Sequence, residues 1–350
     1  MFDIQTVVDL ENMKPLGNDE GKNSAVYLAD DKQLKHQFIV KKVSKSSIYK
    51  DFGNEDEENL FLESSILYKV SHPNITEIQY ASYDADNIYM VMPYYKNGSI
   101  QSILDERNLT VEEAVKYSLE FLSGLLFVHS YGLVHFDIKP TNILINNNGK
   151  ATLTDFGLAK YLDKKTELIQ PNKLYMCHWP PERFLSSELG RQADIYQVGM
   201  TMYRMVNGNK IWKEQVALHF NNNDIASGQF PERKRYLPHV PLKIRKIINK
   251  CLEVDADKRY SNVIDIINDL STVECTTNWQ YEIDENQNDV WKLVEKDKIT
   301  TIYLSKDADK YNLKTTKTNK ATGRETRVVN MCKNNITEKE ANKLISGFTQ

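Results

Sequence analysis

The sequence lacks the features that would place the protein in a membrane, in a disulfide-stabilised fold or on nucleic acid. No apolar run reaches the roughly 18 residues of a transmembrane helix, and the first residues show neither the basic flank nor the apolar stretch of a secretory signal. The four cysteines are scattered, and no pair has metal-ligand or redox-motif spacing. The net charge of −3 is too small to indicate nucleic acid as a partner. Together these absences predict a cytoplasmic protein with reduced cysteines and no membrane contact.

The chain has enough apolar residues to bury a sizeable core. Its 350 residues predict about two domains, and 41% hydrophobic with 27% charged residues is typical of a soluble globular protein. Residues 1–92 are mainly strand-like. Short β-prone runs lie at 24–29, 37–43 and 88–92, with a polar turn at 30–32. Apolar residues at helical spacing predict a helix within 56–70 and mainly helices from Thr110 onward.

Two short motifs supply the residue types that phosphoryl transfer needs. They are residues 135–142 (HFDIKPTN) and residues 155–157 (DFG). One carboxylate accepts the proton of a substrate hydroxyl, a cation neutralises the transferred phosphate, and an amide oxygen and a second carboxylate hold Mg²⁺. The residues that supply these groups, in that order, are Asp137, Lys139, Asn142 and Asp155. Each alone would carry little weight, but the whole set at this spacing is a strong signal.

These motifs resemble the catalytic loop and the metal-binding loop of protein kinases. The resemblance covers about residues 12–272 and implies an α+β, bilobal kinase fold. The β-rich N-lobe would span about 12–92 and the helical C-lobe about 97–272. ATP and Mg²⁺ are the implied cofactors. The implied roles are catalysis by Asp137 and Lys139, and metal binding by Asn142 and Asp155.

A glycine-containing loop and a lysine are implied to bind the ATP phosphates. Residues 16–27 (LGNDEGKNSAVY) resemble the family's glycine-rich loop, whose backbone amides approach an anion closely. The implied contacts are Leu16, Gly17, Gly21 and Val26. In the strand FIVK, Lys41 would reach the phosphates, and Glu63 on the following helix would be its ion-pair partner. Lys42 is the alternative lysine, but it would point to the other face of the strand.

The run at 89–99 (YMVMPYYKNGS) resembles the hinge that joins the two kinase lobes. Met92 would lie behind the adenine, and the Pro93 carbonyl and the Tyr95 amide would bond its edge. A proline is compatible because only its carbonyl is used. The apolar walls of the adenine pocket would be Val26, Ile39 and Leu144. These are also ordinary core residue types, so their role rests on the resemblance.

Four residues bear on the class of substrate. Lys139 implies serine or threonine specificity. Glu182, in the run WPPE, is the implied partner of Arg259, and Asp194 is implied to hold the catalytic-loop backbone. The last three features are absent from small-molecule phosphotransferases of the same superfamily, so they favour a protein substrate over that third interpretation.

Two positions depart from the family pattern. Phe136 stands where an arginine normally binds a phosphate on the activation loop. Phosphorylation of Thr166, the one serine or threonine in residues 155–182, is therefore not expected to control activity. Tyr175 replaces the threonine that bridges the catalytic aspartate and lysine, which alters the edge that would bind the peptide.

His178 is either a catalytic acid or a packed loop histidine, and the second interpretation is favoured.

Residues 275–350 lie outside the resemblance and predict a small antiparallel sheet closed by a helix. Strand-like runs lie at 279–283, 290–294, 300–304, 311–315 and 327–331. Gly323 predicts a hairpin turn, and Thr337 with Glu340 predicts a capping box that opens the helix. The residues expected to form its core are Trp279, Trp291, Tyr303 and Phe348. Because so short a unit has a marginal core, we expect it to pack against the helical lobe.

The extension is locally basic, and two interpretations of this remain. The basic residues are Lys306, Lys310, Lys314, Lys317, Lys320, Arg324 and Arg327. The favoured interpretation is a solvated sheet face. The alternative is docking to an acidic substrate or to nucleic acid.

The sequence therefore predicts an ATP- and Mg²⁺-dependent protein serine/threonine kinase. Its partner would be a protein substrate, and a docking partner would bind through 275–350. The alternative is a pseudokinase or scaffold whose kinase lobe regulates a partner held by the C-terminal module. The presence of the whole set of chemical residues makes this alternative weaker.

Overall fold

The computed structural model describes residues 10–16, 24–52, 60–171, 175–274 and 278–349. The strands are β1 Leu10–Pro15, β2 Ser24–Asp31, β3 His36–Ser44, β4 Tyr80–Tyr83, β5 Asn87–Pro93, β6 Leu133–Val134, β7 Ile143–Ile145, β8 Ala151–Leu153, β9 Lys160–Tyr161, β10 Gln280–Ile283, β11 Asp289–Val294, β12 Lys298–Asp307, β13 Lys310–Asn319, β14 Glu325–Arg327 and β15 Lys333–Ile336. The helices are α1 Lys45–Phe52, α2 Leu62–Lys69, α3 Ile100–Glu106, α4 Val111–Ser130, α5 Arg191–His219, α6 Asn222–Ser227, α7 Leu242–Cys251, α8 Val263–Ser271 and α9 Glu338–Thr349. Along the described residues, no helix has the length and apolarity that a membrane crossing requires.

Residues 10–93 are built around an antiparallel sheet, as predicted. Its strand order is β1-β2-β3-β5-β4, so β3 lies at the centre. The strands expected at 24–29, 37–43 and 88–92 are confirmed, although β2 continues through Asp31 and the turn begins only at Lys32. The helix expected within 56–70 is confirmed as α2, which buries Ile66 and Leu67. Its first part, at 56–59, lies outside the described residues.

The second half is helical from Thr110, which caps α4. The Thr110 side chain accepts from the Glu113 amide while the Glu113 side chain accepts from the Thr110 amide, and this reciprocal capping satisfies two otherwise unpaired donors. Helix α5 is buried on nearly all sides, as expected for a helix through the middle of a lobe. Gly208 interrupts it with φ 70°. A Cβ there would lie 1.8 Å from Oδ1 of Asn108, so only glycine fits this bend. The bilobal α+β fold is thus confirmed.

The C-terminal residues form a second antiparallel sheet, β10-β11-β12-β13-β14, with β15 also paired to β13. The first four predicted strands, the turn at Gly323 with φ 66° and the capping box at Thr337 are confirmed. The fifth predicted strand, 327–331, is wrong beyond Arg327, because Val329–Met331 is a 3₁₀ turn. This turn takes up the extra residues between two registers on one edge of β13, because nine steps along the chain, from Arg327 to Ile336, lie opposite five steps of β13, from Thr316 to Tyr311.

The C-terminal module packs against the helical lobe, as expected. Trp291 Nε1 donates to Nδ1 of the buried His239 at 2.9 Å, and Arg235 pairs with Glu338 at 2.6 Å. Trp279, Trp291 and Phe348 belong to one apolar core that is continuous with the helical lobe. The module therefore shares its core with the lobe and does not hang on a free linker.

Tyr303 is not part of that core, and this expectation is wrong. Ile302 and Leu304 are buried, whereas Tyr303 is only half-buried. It lies on the opposite face of β12, where Lys314 approaches its ring at 5.9 Å. Successive residues of a strand point to opposite faces, so Ile302 and Tyr303 cannot both face the core.

Candidate active site

The predicted catalytic loop is held by the start of helix α5. The fully buried carboxylate of Asp194 accepts hydrogen bonds from the His135 and Phe136 amides, each at 2.8 Å. Gln197 donates to the Phe136 carbonyl and accepts from the Ile138 amide, both at 2.9 Å. The predicted contact of Asp194 is confirmed. Gln197 was not among the predicted site residues, although its place one helical turn after Asp194 puts both side chains on one face of the helix.

Phe136 has an unusual backbone conformation that these contacts stabilise. Its φ is 63°, a region that is costly for a bulky residue. Its side chain is fully buried among Val134, Leu189 and Ala193. Ile169, in the predicted activation segment, packs against this cluster and pairs with Leu189 through two backbone hydrogen bonds of 2.9 Å. An apolar contact therefore tethers the segment at the position where the family uses an arginine.

Asp137 lies at the centre of the loop with its two carboxylate oxygens in different surroundings. Oδ2 accepts from Lys139 Nζ and from Asn142 Nδ2, each at 2.7 Å. Oδ1 is buried and has no hydrogen-bond partner among the described residues. Buried polar atoms are nearly always paired, so Oδ1 is an acceptor that the described part of the chain leaves unsatisfied.

Asn142 and Asp155 present oxygen atoms suited to a hard cation. The Asn142 amide group donates to the Asp137 carbonyl and carboxylate, at 2.9 and 2.7 Å, and its oxygen accepts a long hydrogen bond of 3.4 Å from the Thr141 hydroxyl. The Lys41 ammonium beside Asp155 holds the pKa of that carboxyl well below its ordinary value, so Asp155 is ionised at neutral pH. Mg²⁺ prefers carboxylate and amide oxygens and takes few of them from the protein. These two residues fit that ion.

Lys41 joins the two lobes through a pair of carboxylates. Its Nζ is 2.7 Å from Glu63 Oε1 and 2.7 Å from Asp155 Oδ1. Burial alone would lower the pKa of Lys41, but the carboxylates of Asp155 and Glu63 outweigh it and raise that pKa. The lysine is therefore firmly cationic. Gly157 passes close by, and a Cβ there would lie 3.3 Å from Glu63 Oε2, so a side chain would crowd this cluster. The predicted Lys41–Glu63 pair is confirmed.

The residues predicted to bind adenine lie in and next to the N-terminal sheet. Met92 is buried and pairs in register with Ile39 of β3, while Val26 and Leu144 are half-buried. Pro93 ends β5, and Tyr95 follows it half-buried. The Leu16 amide donates to the Val26 carbonyl at 2.8 Å, which closes the strands at the start of the predicted glycine-rich loop. Gly17 and Gly21 lie outside the described residues.

The end of the predicted activation segment is anchored by a bidentate ion pair. Arg259 NH1 and NH2 lie 2.8 and 2.6 Å from the two oxygens of Glu182, so this predicted pair is confirmed. The Lys139 ammonium lies over the ring of Tyr175, with Nζ 5.0 Å from the ring centre. His178 is buried, and its Nδ1 donates to the Ile138 carbonyl at 2.9 Å. Its surroundings are those of a packed loop histidine.

The comparisons with known proteins agree with this geometry. The model of the protein kinase domain matches residues 10–270. The serine/threonine-protein kinase PrkC of Bacillus subtilis is 27% identical over 256 residues, which are 72% of this chain and 39% of PrkC. The cAMP-dependent protein kinase catalytic subunit PRKX of Homo sapiens is 27% identical over 269 residues, which are 76% of this chain and 71% of that protein.

A probable serine/threonine-protein kinase of Clostridium acetobutylicum is 27% identical over 259 residues, 73% of this chain and 38% of that protein. The chain thus spans about two fifths of the length of the bacterial relatives that it matches. Residues 278–349, which form the second sheet and α9, lie beyond the matched family region.

Proposed function

This chain belongs to the protein kinase domain family, and we propose that it transfers the γ-phosphoryl group of ATP to serine or threonine hydroxyls of a protein, with Mg²⁺ as cofactor. The observation that carries the proposal is the buried Oδ1 of Asp137, which has no partner in the described part of the chain. A substrate hydroxyl is the group that this acceptor fits. Lys139 and Asn142 hold the other oxygen at 2.7 Å and so orient the carboxylate.

In this mechanism Asp137 takes the proton of the substrate hydroxyl while the hydroxyl oxygen forms a bond to the γ-phosphorus of ATP. The bond between that phosphorus and the bridging oxygen of the departing ADP breaks. Lys139 lies beside Asp137 and offsets the charge of the transferred group, and Lys41 contacts the α- and β-phosphates. Asn142 and Asp155 would hold Mg²⁺, which supplies further neutralisation of phosphate charge when bound.

The adenine would lie between the two lobes. Val26, Ile39 and Leu144 are apolar and half-buried, as expected for the walls of a cleft. Met92 would close its inner end, and the Pro93 carbonyl and the Tyr95 amide would bond the adenine edge. The proposed phosphate cover is formed by Leu16, Gly17 and Gly21.

The direct test is transfer from labelled ATP to a generic protein substrate such as casein, followed by identification of the labelled amino acids. Label on serine or threonine, dependent on added Mg²⁺, is the expected result. A protein that binds ATP without transferring phosphate would instead be the pseudokinase or scaffold. That alternative is weaker because a scaffold does not need the groups for phosphoryl transfer. This chain has all four of them, at Asp137, Lys139, Asn142 and Asp155.

Activity should not depend on phosphorylation of Thr166. Phe136 is fully buried and offers no cation to a phosphate, while the apolar contact of Ile169 with the Phe136 cluster orders the segment. We expect Thr166→Ala to stay within about twofold of the parent rate, as is usual for exposed side chains. The measurement is the initial rate before and after phosphatase treatment, with Thr322→Ala in the exposed β13–β14 turn as control. An enzyme that is inert until Thr166 is phosphorylated would refute this.

In the same proposal residues 12–272 carry the chemistry, and residues 275–350 recruit the substrate. A groove of about 600 Å³ lies between α9 and the segment that leads into β15. The apolar residues that line it are Met331, Ile336, Leu344 and Phe348, with Lys333 and Lys343 beside them. Glu340 also lines the groove, but its carboxylate accepts from the Thr337 amide and hydroxyl, both at 2.8 Å.

The occupant that this groove fits is an acidic segment of the protein substrate that carries apolar side chains. The apolar side chains would fill the floor, and the carboxylates would face the two lysines. A volume of about 600 Å³ is within the range of specific binding clefts, about 300–1,000 Å³. A basic partner would be repelled by these lysines. Nucleic acid would find no contact for its phosphates on the apolar floor.

Reversal of the two groove lysines should weaken binding of such a segment. We expect Lys333→Glu with Lys343→Glu to raise the Kd of a fluorescent acidic, leucine-rich peptide by about tenfold, from the loss and reversal of two exposed charge contacts. Lys306→Glu with Lys320→Glu, two exposed lysines elsewhere in the module, is the matched control. Fluorescence anisotropy gives the Kd. Equal binding by both double variants, or tighter binding of a basic peptide, would contradict the recruitment groove.

A further inference from the structure

One face of helix α5 follows the catalytic loop and then continues past it. Asp194 and Gln197 bond the loop backbone, and the Thr201 hydroxyl donates to the Ile138 carbonyl at 3.2 Å. Residues three and four apart lie on the same side of a helix. Arg204 is the next residue on this side. Its Cα therefore lies about one turn, roughly 5 Å along the axis, beyond the residue that holds Ile138.

Arg204 is a buried cation that pairs with no carboxylate among the residues that the structure describes. It is only 6% exposed. Its NH2 donates to Gln101 Oε1, and its guanidinium lies 4.6 Å from the centre of the Trp212 ring. Its Nε has no hydrogen-bond partner, and no ion pair involves it, as far as the described residues extend. A buried charge that is not paired is costly.

Arg259, which is also deeply buried, shows how such a cation is usually paired with a carboxylate. The side chain of Arg259 is 0% exposed and pairs bidentately with Glu182. Near Arg204, Asp105 is the carboxylate that attracts it, but Asp105 Oδ1 already accepts from Gln101 Nε2 at 2.9 Å and from Asn209 Nδ2 at 2.7 Å. Burial lowers the pKa of Arg204, and the attraction of Tyr175, Cys177 and Asp105 does not offset it. The guanidinium retains capacity for an anion.

Tyr175 connects this cation to the phosphoacceptor site. It is close enough to Arg204 for the two to interact electrostatically, and its ring stacks 5.0 Å from Lys139 Nζ. Lys139 in turn contacts Asp137 at 2.7 Å. Arg204 is thus separated from the proposed catalytic carboxylate by two side chains. An extended peptide advances about 3.3 Å per residue, so a substrate side chain within three residues of the acceptor can lie up to about 10 Å from it.

We propose that Arg204, bordered by Gln101 and Tyr175, is an anion subsite that selects protein substrates with a negatively charged side chain within about three residues of the phosphoacceptor. This rests on the proposed kinase function and names its substrate class. Glutamate, aspartate and a phosphorylated residue share the required chemistry. The planar guanidinium suits a carboxylate or phosphate oxygen better than a neutral side chain.

The test compares serine peptides that differ at one position, scanned across the three residues on either side of the acceptor. Glutamate, phosphoserine, glutamine and lysine are placed there in turn, and kcat/KM is measured for each. At one position the parent enzyme should prefer glutamate over glutamine by at least about tenfold, the size expected for one charge-assisted hydrogen bond. A higher value for phosphoserine than for glutamate would identify a phosphorylated substrate as the source of the charge.

Three variants separate a specificity role from a structural one. Arg204→Gln should bring the glutamate-to-glutamine ratio close to one, and Arg204→Lys should keep part of it. Gln101→Glu leaves Arg204 in place but supplies an internal carboxylate, so it should also reduce the ratio, even if substitutions of the buried arginine fail to fold. Arg324→Gln, at an exposed arginine of the module, should leave it unchanged.

Two results would overturn the subsite. One is a parent enzyme that phosphorylates all the peptides without preference. The other is an unchanged ratio in folded Arg204→Gln or, if that variant does not fold, in Gln101→Glu. Absence of transfer to every peptide and to casein would instead count against the proposed function itself.

Discussion

Replacing Asp137 with asparagine should reduce phosphoryl transfer by about 10²–10⁴-fold, the usual contribution of a positioned general base. The amide keeps the shape of the side chain and can still accept from Lys139, whose Nζ lies 2.7 Å from Oδ2. It cannot take a proton from the acceptor hydroxyl. The measurement is the rate of labelled phosphate transfer to casein, together with the Kd for ATP from fluorescence titration.

Asp137→Asn should lower the rate of phosphoryl transfer without changing the affinity for ATP. The proposed phosphate contact is Lys41, which lies with Glu63 and Asp155 and is not altered in this variant. Nucleotide affinity should therefore stay close to that of the parent. Asp309→Asn, in the exposed turn between β12 and β13, is the matched control for the chemical change. If Asp137→Asn transferred phosphate at the parent rate, the proposed function would be lost.

Replacing Glu182 with alanine should lower the free energy of unfolding by about 3 kcal/mol. Removal of one partner from a buried ion pair typically costs about 3–5 kcal/mol, and the lower end applies because the Glu182 side chain is 21% exposed. Arg259 would keep its contacts with the carbonyls of Gln192 and Glu253, each at 2.8 Å, but it would lose both carboxylate oxygens. Urea denaturation at neutral pH measures the change.

The contrast is an exposed pair on the same part of the chain. Lys258 and Asp255 lie 3.3 Å apart with side chains 70% and 51% exposed, and such pairs contribute at most about 1 kcal/mol. Lys258→Ala should therefore change stability little. Glu182→Ala combined with Arg259→Met should recover part of the loss, because no buried charge is then left unpaired. A Glu182→Ala effect no larger than that of Lys258→Ala would contradict the buried-pair interpretation.

Much of the candidate site could be predicted because the reacting groups are close together in the sequence. Asp137, Lys139 and Asn142 lie within one loop, and their spacing carries the motif whatever surrounds them. The pairing of Lys41 with Glu63 was predicted from the family resemblance, although helix α1 lies between the strand and the helix that carry them. Capping at Thr110 and Thr337 is local in the same way, since each box spans one helical turn.

The errors arose where a local pattern fits more than one structure. Residues 327–331 resemble a strand in residue type, but the nine steps from Arg327 to Ile336 lie opposite only five steps of β13, so the chain must turn between the two pairings. Tyr303 is aromatic like Trp291, but the strand period places it on the outer face. Neither outcome is contained in residue type alone, because each depends on which neighbouring strand is present.

The sequence by itself determined the family, the chemical groups of the site and most helices and strands, because these depend on residue types at short spacing. Tertiary structure decided which buried groups have partners. It buried Phe136 in an apolar cluster, joined Trp291 to His239 across 52 residues, and paired Arg259 with a carboxylate, while no carboxylate of the described residues pairs with Arg204. Those outcomes follow from burial and from contacts between distant segments. The cost of removing a charge or a polar atom from water depends on what the folded chain places beside it.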